Sequence, residues 1–467
     1  MAILFPGRLR MFALIALISF AFSPAAAPAQ AAKTSNSGCR VEPVEFKGWQ
    51  AQQLSNRWLQ AIVVPQNGGR LMQVIFAGHS YLFVNPKLAG KYLPPSSDHW
   101  FNYGGDKIWL LPEGNDDEQH WVGNSDVIDD SPFNFRKISE GKQCQVELTG
   151  PADPQTGVQI SRIITLDDDS PQIRFHASMK NTSGHVLGWS MQSVSQYDTS
   201  DPNSPNGSSA PRRNGDLWTF TPANPSSAYL NRYHVRFGPA ENQEVSVRDD
   251  GLFAVHYAHV AAELWLDSLA GWLAVVDGTS QYAMVERFDY DPGRTYPGKA
   301  SVIFWTNGSG MRLTDEGEVS VSKDADATPY YLEAELNSPM CHLRPGESCT
   351  MDTEWFPTRA GKEFHGVSDA GILIRPLQAS RLPSGAIRLT GEFGVFYSGH
   401  LIAHFYDQRG ASLDKTSIME ANPAEAVTLE KEFPASNAAR ISLHLVDENG
   451  LDRGSLQEVR VESEGNR

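Results

Sequence analysis

The sequence predicts an all-β protein, a large β-sandwich followed by a small C-terminal β-sandwich. From about residue 43 onward, short runs of alternating apolar and polar residues are separated by Asn-Gly, Asp-Asp and Pro-rich turns. Convincing amphipathic helices of ten or more residues are absent from this pattern. Regularly spaced strands with turn signals are typical of sandwiches and barrels, and about 320 such residues without a repeat indicate a very large sandwich.

The strand pattern divides into two parts. The first predicted domain covers 40–358, with representative strands at 58–64, 71–76, 172–179 and 301–305. A linker is expected at 358–368, and a second β domain at 369–467, with strands beginning at residues 371, 386, 400 and 441. A long polar stretch, 198–216, reads as a loop inside the first domain, and loops of this length are typically functional or disordered.

The N-terminus has the pattern of a cleaved export signal, residues 1–31. Arg8 and Arg10 form a basic region, 11–22 is apolar, and Ala29-Gln-Ala31 is a small-residue cleavage site. The apolar run is short for a membrane span, and no later stretch reaches about 20 apolar residues. We therefore expect no membrane span and a periplasmic or secreted protein.

Composition narrows the classes of partner. The chain of 467 residues carries 55 acidic and 39 basic side chains, a formal net charge of −16. An acidic protein of this kind argues against nucleic acid as a partner. The 11 Trp and 14 Tyr residues suit either the core or stacking on sugar rings. The oligomeric state is not predicted.

The four cysteines indicate two disulfides in an oxidising compartment. Cys341 and Cys349 flank an Arg-Pro-Gly-Glu turn, so a bridge across a hairpin is expected there. Cys39 would then pair with Cys144 and tie the mature N-terminus to the body of the domain.

The most informative segment for function is Tyr-Tyr-Leu-Glu-Ala-Glu-Leu-Asn-Ser-Pro at 330–339. As a strand it places the apolar residues Tyr330, Leu332, Ala334 and Leu336 on one face, and Tyr331, Glu333 and Glu335 on the other. Two carboxylates about 7 Å apart along a strand tend to separate in pKa, which prepares a general base or acid. Glu333 and Glu335 are therefore the candidate catalytic residues, and Tyr331, on the same face, is a candidate substrate-binding residue. The alternative is an edge strand with a solvated acidic face.

The segment Trp-Phe-Asn-Tyr-Gly-Gly-Asp-Lys-Ile-Trp at 100–109 supplies candidate substrate-binding residues: Asn102, Asp106, Lys107 and Trp109. Its paired glycines allow a bend or a close approach of ligand. In an extended chain Lys107 and Trp109 share a face suited to a sugar ring, particularly an acidic one, and Asp106 faces the other way. The alternative is a bulge with Trp109 in the core and Lys107 extending to the surface.

Two further charged residues are candidates for substrate binding. Arg70 follows the Asn-Gly-Gly turn at 67–69 and could contact a carboxylate or paired hydroxyls, or could pair with a structural acid. Glu286 precedes a Pro-Gly turn and is interpreted as part of a loop at the rim of a cleft.

Metal and cofactor signals are weak. Acid clusters at 129–130 and 167–169 could bind Ca²⁺. The commoner explanation is that such acids lie in turns, where their carboxylates accept hydrogen bonds from backbone amides. No phosphate loop, dinucleotide motif or nucleophile elbow is present in the sequence. We predict no metal and no cofactor.

With these residues identified, the chain resembles the galactose mutarotase (aldose 1-epimerase) superfamily, and more closely an uncharacterised bacterial branch of it. The C-terminal signature of that superfamily has counterparts in Trp-Thr-Asn at 305–307, Tyr-Leu-Glu-Ala-Glu at 331–335, Pro339, Leu-Arg-Pro-Gly-Glu at 343–347 and Trp-Phe at 355–356. Val-Pro-Gln-Asn-Gly-Gly-Arg at 64–70 resembles the first hairpin, and Asn-Tyr-Gly-Gly-Asp-Lys-Ile-Trp at 102–109 matches the uncharacterised branch. The resemblance covers 43–357.

The resemblance implies a β-supersandwich that binds a carbohydrate on a concave sheet, with Glu333 as the base that removes the anomeric hydroxyl proton. Mutarotases also carry a His that protonates the ring oxygen. Near its expected position this chain has Trp189, Gln192 and Ser193, none of which titrates near neutrality as His does. Gln192 is therefore taken as a substrate-binding candidate, and the departure argues against simple mutarotation.

Three functions remain open at this point. The first is an exported carbohydrate-active enzyme, an epimerase or a lyase acting on a uronate, with Glu333 as base. The second is a non-catalytic carbohydrate-binding protein, and the third is a structural envelope protein with a vestigial site. Fold alone does not decide among them.

Overall fold

We describe the protein from a computed structural model. The structure describes residues 38–95, 101–112, 126–204, 212–308, 311–314, 317–320 and 330–463. The predicted signal at 1–31, Trp100 and the middle of the polar stretch at 198–216 lie outside these residues. No helix in the described part of the chain is long and apolar enough to cross a membrane.

Strands dominate the fold, as the sequence predicts. Described helical segments are the short helix α1 (Asp126–Asp130) and a 3₁₀ turn, Pro297–Lys299. The described strands, in chain order, are β1 Arg40–Phe46, β2 Trp49–Ser55, β3 Leu59–Val64, β4 Arg70–Phe76, β5 His79–Ser80, β6 Asp106–Leu111, β7 Asn134–Ser139, β8 Gln143–Ala152, β9 Val158–Asp167, β10 Ile173–Asn181, β11 Leu187–Asp198, β12 Leu217–Pro222, β13 His234–Phe237, β14 Val245–Val247, β15 Leu252–His256, β16 Ala262–Leu266, β17 Trp272–Asp277, β18 Tyr282–Phe288, β19 Val302–Thr306, β20 Met311–Thr314, β21 Gly317–Ser320, β22 Tyr331–Asn337, β23 Cys341–Leu343, β24 Ser348–Arg359, β25 Gly366–Val367, β26 Gly371–Arg381, β27 Ile387–Val395, β28 Gly399–Tyr406, β29 Ser412–Ala421, β30 Val427–Phe433, β31 Arg440–Asp447 and β32 Asp452–Ser463.

Two large antiparallel sheets form the first part of the structure. The twelve-stranded sheet has the order β1-β2-β3-β4-β6-β11-β22-β19-β16-β13, with β5 paired to β4 and β23 paired to β11. The ten-stranded sheet has the order β14-β15-β12-β17-β18-β24-β10-β9-β8-β7. Strands β20 and β21 form a separate hairpin. The predicted large sandwich is confirmed.

The main hydrophobic core lies between these two sheets. It joins apolar side chains of the twelve-stranded sheet, such as Leu332 and Phe304, to those of the ten-stranded sheet, such as Phe175 and Met284. We call the face of the twelve-stranded sheet that points into this core its inner face, and the opposite face its outer face.

An eight-stranded sheet forms the C-terminal part, in the order β29-β28-β31-β32-β26-β27-β30, with β25 paired to β26. It has a core of its own, and Ile372 and Ile374 of β26 pack with Phe220 and Phe356 of the ten-stranded sheet. The predicted linker at 358–368 is shorter than expected, because its ends belong to β24 and β25. The division into domains at 358 and 369 stays a prediction.

Both predicted disulfides are present. Cys39 is bonded to Cys144 across a sequence separation of 105, and Cys341 to Cys349 across a separation of 8. Disulfides are typical of proteins from oxidising compartments.

Removal of the long-range disulfide should destabilise the protein more than removal of the short one. A cross-link restricts the unfolded chain more when it closes a longer loop, and the chain-entropy estimate is about 4 to 5 kcal/mol for the long loop and about 2 to 3 kcal/mol for the short one. Urea denaturation of the paired Cys39→Ser/Cys144→Ser and Cys341→Ser/Cys349→Ser variants measures both. A larger loss of unfolding free energy in the Cys341→Ser/Cys349→Ser variant than in the Cys39→Ser/Cys144→Ser variant would contradict this expectation.

Candidate functional site

Strand β22 lies in the middle of the twelve-stranded sheet, between β11 and β19. Leu332, Ala334 and Leu336 are fully buried in the main core, on the inner face. Because side chains alternate along a strand, Tyr331, Glu333 and Glu335 lie on the outer face. The predicted alternation is therefore confirmed, and the alternative of an edge strand is wrong.

The strand register brings further polar side chains beside this face. Gln196 of β11 and Trp305 of β19 stand opposite Glu333 on its two sides, and Val194 and Ile303 stand opposite Glu335. On the next strand, Lys107 pairs with Val194 and Trp109 with Gln192. We call the set Lys107, Gln192, Gln196, Tyr331, Glu333 and Glu335 the outer-face site.

The two glutamates of the outer-face site each accept a hydrogen bond from an amide. Gln196 Nε2 donates to Glu333 Oε1 at 2.5 Å, and Gln192 Nε2 donates to Glu335 Oε2 at 2.5 Å. Glu333 is partly exposed, whereas Glu335 is 6% exposed. Of the two carboxylates, Glu333 is therefore the one that a ligand can reach more readily.

Burial raises the pKa of Glu333 above its usual value, and Asp129 raises it further. Lys107 and hydrogen bonds with Gln196 and Glu335 act in the opposite direction. A hydrogen bond between two carboxyl groups requires one of them to be protonated. The pair is thus arranged to hold a proton at a higher pH than an isolated glutamate would.

Lys107 lies beside an anion and over an aromatic ring. Its Nζ is 3.0 Å from Asp129 Oδ1 and 3.9 Å from the centre of the Trp109 ring. Burial lowers the pKa of Lys107, Arg70 lowers it as well, and Asp129 and Glu333 oppose these effects. The predicted shared face of Lys107 and Trp109 is confirmed. Trp109 is buried and belongs to the main core cluster, as the alternative had it, but Lys107 is buried rather than extended into solvent.

Arg70 is fully buried and pairs with a structural acid, which was one of the two alternatives for this residue. Its Nη2 is 2.5 Å from Asp129 Oδ1, and its Nη1 donates to the Gly104 carbonyl at 3.1 Å. Gly68 has a φ of +64°, and a Cβ at this position would lie 2.0 Å from the Asp129 carbonyl oxygen. The glycine turn before Arg70 therefore lets α1 approach closely enough for Asp129 to reach both cations.

Asn102 and Tyr331 meet at the same face. The Tyr331 hydroxyl accepts hydrogen bonds from the Trp305 and Asn102 side chains, which lower its pKa, but burial and the charge of Glu333 raise that pKa well above its usual value. Gly104, which follows Asn102 closely, has a φ of +92°, and a Cβ there would lie 2.2 Å from the Phe83 carbonyl oxygen. The paired glycines thus serve a close approach of backbone to backbone.

Two predicted substrate-binding residues lie elsewhere. Asp106 is fully buried on the inner face, where it pairs with Arg162 and accepts a hydrogen bond from Ser195 at 3.2 Å. Glu286 belongs to β18 and accepts a hydrogen bond from Tyr197 at 2.5 Å, across the space between the sheets. The interpretation of Glu286 as part of a loop at a cleft rim was wrong.

Burial raises the pKa of Glu286 to about 8. Burial also raises the pKa of Asp106, against the opposing charge of Arg162. Both acids are therefore structural members of the layer between the sheets, and neither reaches the outer-face site.

Sequence reasoning missed Gln196, Asp129 and Trp305. Gln196 is four residues from Gln192, so alternation along β11 puts both on one face. Trp305 belongs to the Trp-Thr-Asn motif, and its place beside Glu333 follows from the pairing of β19 with β22. Asp129 was considered only as a turn acid or a Ca²⁺ ligand, and nothing local in the sequence connects it to Lys107. In the described residues, no group of three or more potential ligands is arranged to hold a metal ion.

No family model matches the chain, and no curated protein matches it. Solved structures that resemble it include a galactose mutarotase-like protein from Clostridium acetobutylicum, with 11% identity over 69% of this chain and 100% of that chain and a TM-score of 0.43.

Two further solved structures also resemble the chain. A putative aldose 1-epimerase from Escherichia coli K12 is 10% identical over 69% of this chain and 99% of that chain, with a TM-score of 0.38. A TPR-domain containing protein from Parabacteroides distasonis is 15% identical over 66% of this chain, with a TM-score of 0.44, and the chain spans 47% of its length. Galactose mutarotase-like proteins are among the structural neighbours.

Substitution of Lys107 by Met should raise the pKa of Glu333 further, because the lysine charge now favours the ionised carboxylate. NMR titration of the glutamate side-chain carboxyl carbons measures the change. Lys415→Met, in the exposed part of β29, is the matched control and should leave the Glu333 titration unchanged. A fall in the pKa of Glu333 in the Lys107 variant would contradict the charge arrangement described above.

Substitution of Asp129 by Asn should strongly destabilise the protein, because Arg70 and Lys107 would remain buried without their shared counter-ion. Loss of one partner of a buried ion pair costs about 3 to 5 kcal/mol. Urea denaturation measures the loss against Asp249→Asn, an exposed turn position. A loss below about 1 kcal/mol, the range of exposed ion pairs, would show that Asp129 is not the counter-ion.

Proposed function

We propose that this protein is an exported carbohydrate-active protein that binds a sugar at the outer-face site, with Glu333 as the general base. The observation that carries the proposal is a partly exposed carboxylate with a raised pKa in the middle of an otherwise buried polar face. Perturbed carboxylates of this kind are characteristic of functional sites. The two disulfides support export.

The proposed chemistry is proton transfer from a sugar hydroxyl. A general base works best when its pKa is close to the working pH, and burial moves Glu333 in that direction. Its hydrogen bond with Glu335 gives the proton a second acceptor. Gln196 fixes the orientation of the Glu333 carboxylate. Trp305, next to Glu333 in the sheet, offers an aromatic surface against which a sugar ring can pack.

Epimerase-type chemistry is favoured over a lyase acting on a uronate. A lyase needs a cation that stabilises the negative charge developing at the substrate carboxylate. Arg70 is fully buried, and Asp129 is shared between Arg70 and Lys107 at 2.5 and 3.0 Å. Asp129 compensates one of these two positive charges, and the burial of both cations limits their contact with a substrate carboxylate.

The second candidate is a non-catalytic carbohydrate-binding protein. It is favoured by the amides Gln192 and Gln196, which cannot donate or accept a proton in catalysis, beside both carboxylates. Trp189, near the expected position of the mutarotase histidine, is buried and donates its Nε1 hydrogen to the Thr156 carbonyl. It does not supply an acid to the outer-face site.

The Glu333→Gln variant distinguishes the two candidates. If Glu333 is a general base, turnover of any accepted sugar should fall by about 10²- to 10⁴-fold, whereas affinity for that sugar should change much less. The measurements are calorimetric titration and product analysis with a panel of mono- and oligosaccharides. Glu420→Gln, an exposed position of β29, is the control.

Each other outcome has a defined meaning. Sugar binding without product in the wild-type protein supports the non-catalytic candidate. Unchanged turnover in the Glu333 variant contradicts the assignment of the base. Absence of binding to every sugar in the panel contradicts both candidates and favours a structural role in the envelope.

A further inference from the structure

A cavity of about 390 Å³ lies at one edge of the twelve-stranded sheet, where β13 is the last strand of the described order. It is formed by the start of β13, by the loop before this strand and by a residue after it. Its lining includes Tyr229, Leu230, Asn231, Tyr233, His234 and Ala240. We call it the edge cavity. Its volume is within the range of pockets that bind small molecules.

The strand register places His234, in the lining of the edge cavity, on the same face of the sheet as the two glutamates. Glu335 stands opposite Ile303, which stands opposite Trp265. Trp265 in turn stands opposite His234. Directly opposed residues of neighbouring antiparallel strands point to the same face. Three strand spacings, about 14 Å, separate β13 from β22, so one sugar ring cannot occupy both places.

Aromatic side chains occupy the outer face between β22 and the edge cavity. The ring centre of Trp305, next to β22, is 5.0 Å from that of Phe237 on β13. The ring centres of Tyr229 and His234 are 5.7 Å apart, with planes inclined by 24°. Trp305, Tyr229 and His234 are partly exposed, whereas Phe237 and Trp265 are buried. Partly exposed rings therefore lie at both ends of this half of the face, and buried rings lie between them.

Contacts within the protein fix the shape of the edge cavity. The Tyr229 hydroxyl donates to the Gly298 carbonyl at 2.5 Å, and its ring packs with Trp265 and Ala300. The Arg232 N–H donates to the Tyr229 carbonyl at 3.0 Å, and Arg232 has a φ of +65°. Residues other than glycine rarely adopt this conformation, and they are concentrated at binding sites. The loop before β13 is therefore held in one arrangement before any ligand binds.

The lining of the edge cavity suits a neutral sugar unit. The faces of Tyr229 and His234 can pack against the C–H groups of a sugar ring, and the exposed Asn231 amide can donate to and accept from its hydroxyls. Leu230 is 100% exposed at the rim, where a ligand would cover it. The described lining contains no Asp, Glu, Lys or Arg side chain that would select a charged unit.

We propose that the edge cavity is a second sugar-binding subsite, and that the protein binds an oligosaccharide across the outer face of the twelve-stranded sheet. One unit lies at Glu333, and a neutral unit farther along the same chain lies in the edge cavity. This inference rests on the proposed function and extends its ligand from a single sugar to an oligosaccharide.

Calorimetric titration with sugars of increasing length tests the second subsite. The probes are β-1,4-linked glucose, galactose, mannose and xylose, each as the monosaccharide and as oligomers of two to six units. In a series that binds, the hexamer should bind at least about tenfold more tightly than the monosaccharide, the size of one aromatic contact. The gain should appear only in oligomers long enough to cross about 14 Å, three strand spacings.

Two variants locate the gain in the edge cavity. His234→Ala removes one ring of the lining, and Ala240→Trp, at an exposed position, fills the cavity. Each should bind the hexamer no more tightly than the monosaccharide. His400→Ala, at an exposed position of β28, is the control and should retain the gain. Thermal melting verifies that the variants are folded, and Ala240→Trp gives the second measurement if His234→Ala fails to fold.

The outcomes separate this inference from the proposed function. Equal affinity for the monosaccharide and the hexamer overturns the second subsite and leaves sugar binding at Glu333 intact. A gain that survives in a folded cavity variant also overturns it, because the additional units then lie elsewhere. If no series binds, the inference fails, and the wider sugar panel with Glu333→Gln decides the proposed function separately.

Discussion

The arrangement of the site depends on burial of one face of β22. Leu332, Ala334 and Leu336 are fully buried between the two large sheets. A register slip of one residue would place Glu333 and Glu335 in the main core and expose the leucines, at a high cost in free energy. Burial of the inner face therefore determines which side chains form the outer face.

Charge compensation is the second constraint on this part of the molecule. Asp129 contacts Arg70 and Lys107 on the outer face, and Asp106 pairs with Arg162 on the inner face. Buried charges are tolerated only when they are paired and hydrogen-bonded. Glu333 is partly exposed at this face. Its partial burial raises its pKa, and the positive charge of Lys107 offsets only part of that increase. The structural ion pairs thereby leave one carboxylate in a position to act on a ligand.

Local patterns in the sequence predicted the features that depend on strand alternation and hairpin geometry. These include the shared face of Tyr331, Glu333 and Glu335, the pairing of Lys107 with Trp109, and the disulfide between Cys341 and Cys349. Such features depend on neighbours in the chain, so a single strand or turn contains the necessary information.

Features that depend on tertiary contacts were harder to predict. Asp129 is distant in sequence from Arg70, and only the approach of α1 to the Gly68 turn connects them. Glu286 was misassigned because its side chain lies between the sheets, where Tyr197 stabilises it. An acid near a turn gives no local sign of whether its strand directs it inward or outward. The sandwich itself was predictable, and the partners across its layers were not.

The most direct test of the account is a crystal structure of the protein grown with an oligosaccharide that it binds in calorimetric titration. We predict a sugar ring on the outer face of the twelve-stranded sheet, with a hydroxyl group within hydrogen-bonding distance of the Glu333 carboxylate and the ring packed near Trp305. A sugar bound elsewhere, with Glu333 unaltered and without contact to it, would contradict the claim that this carboxylate is the centre of the site.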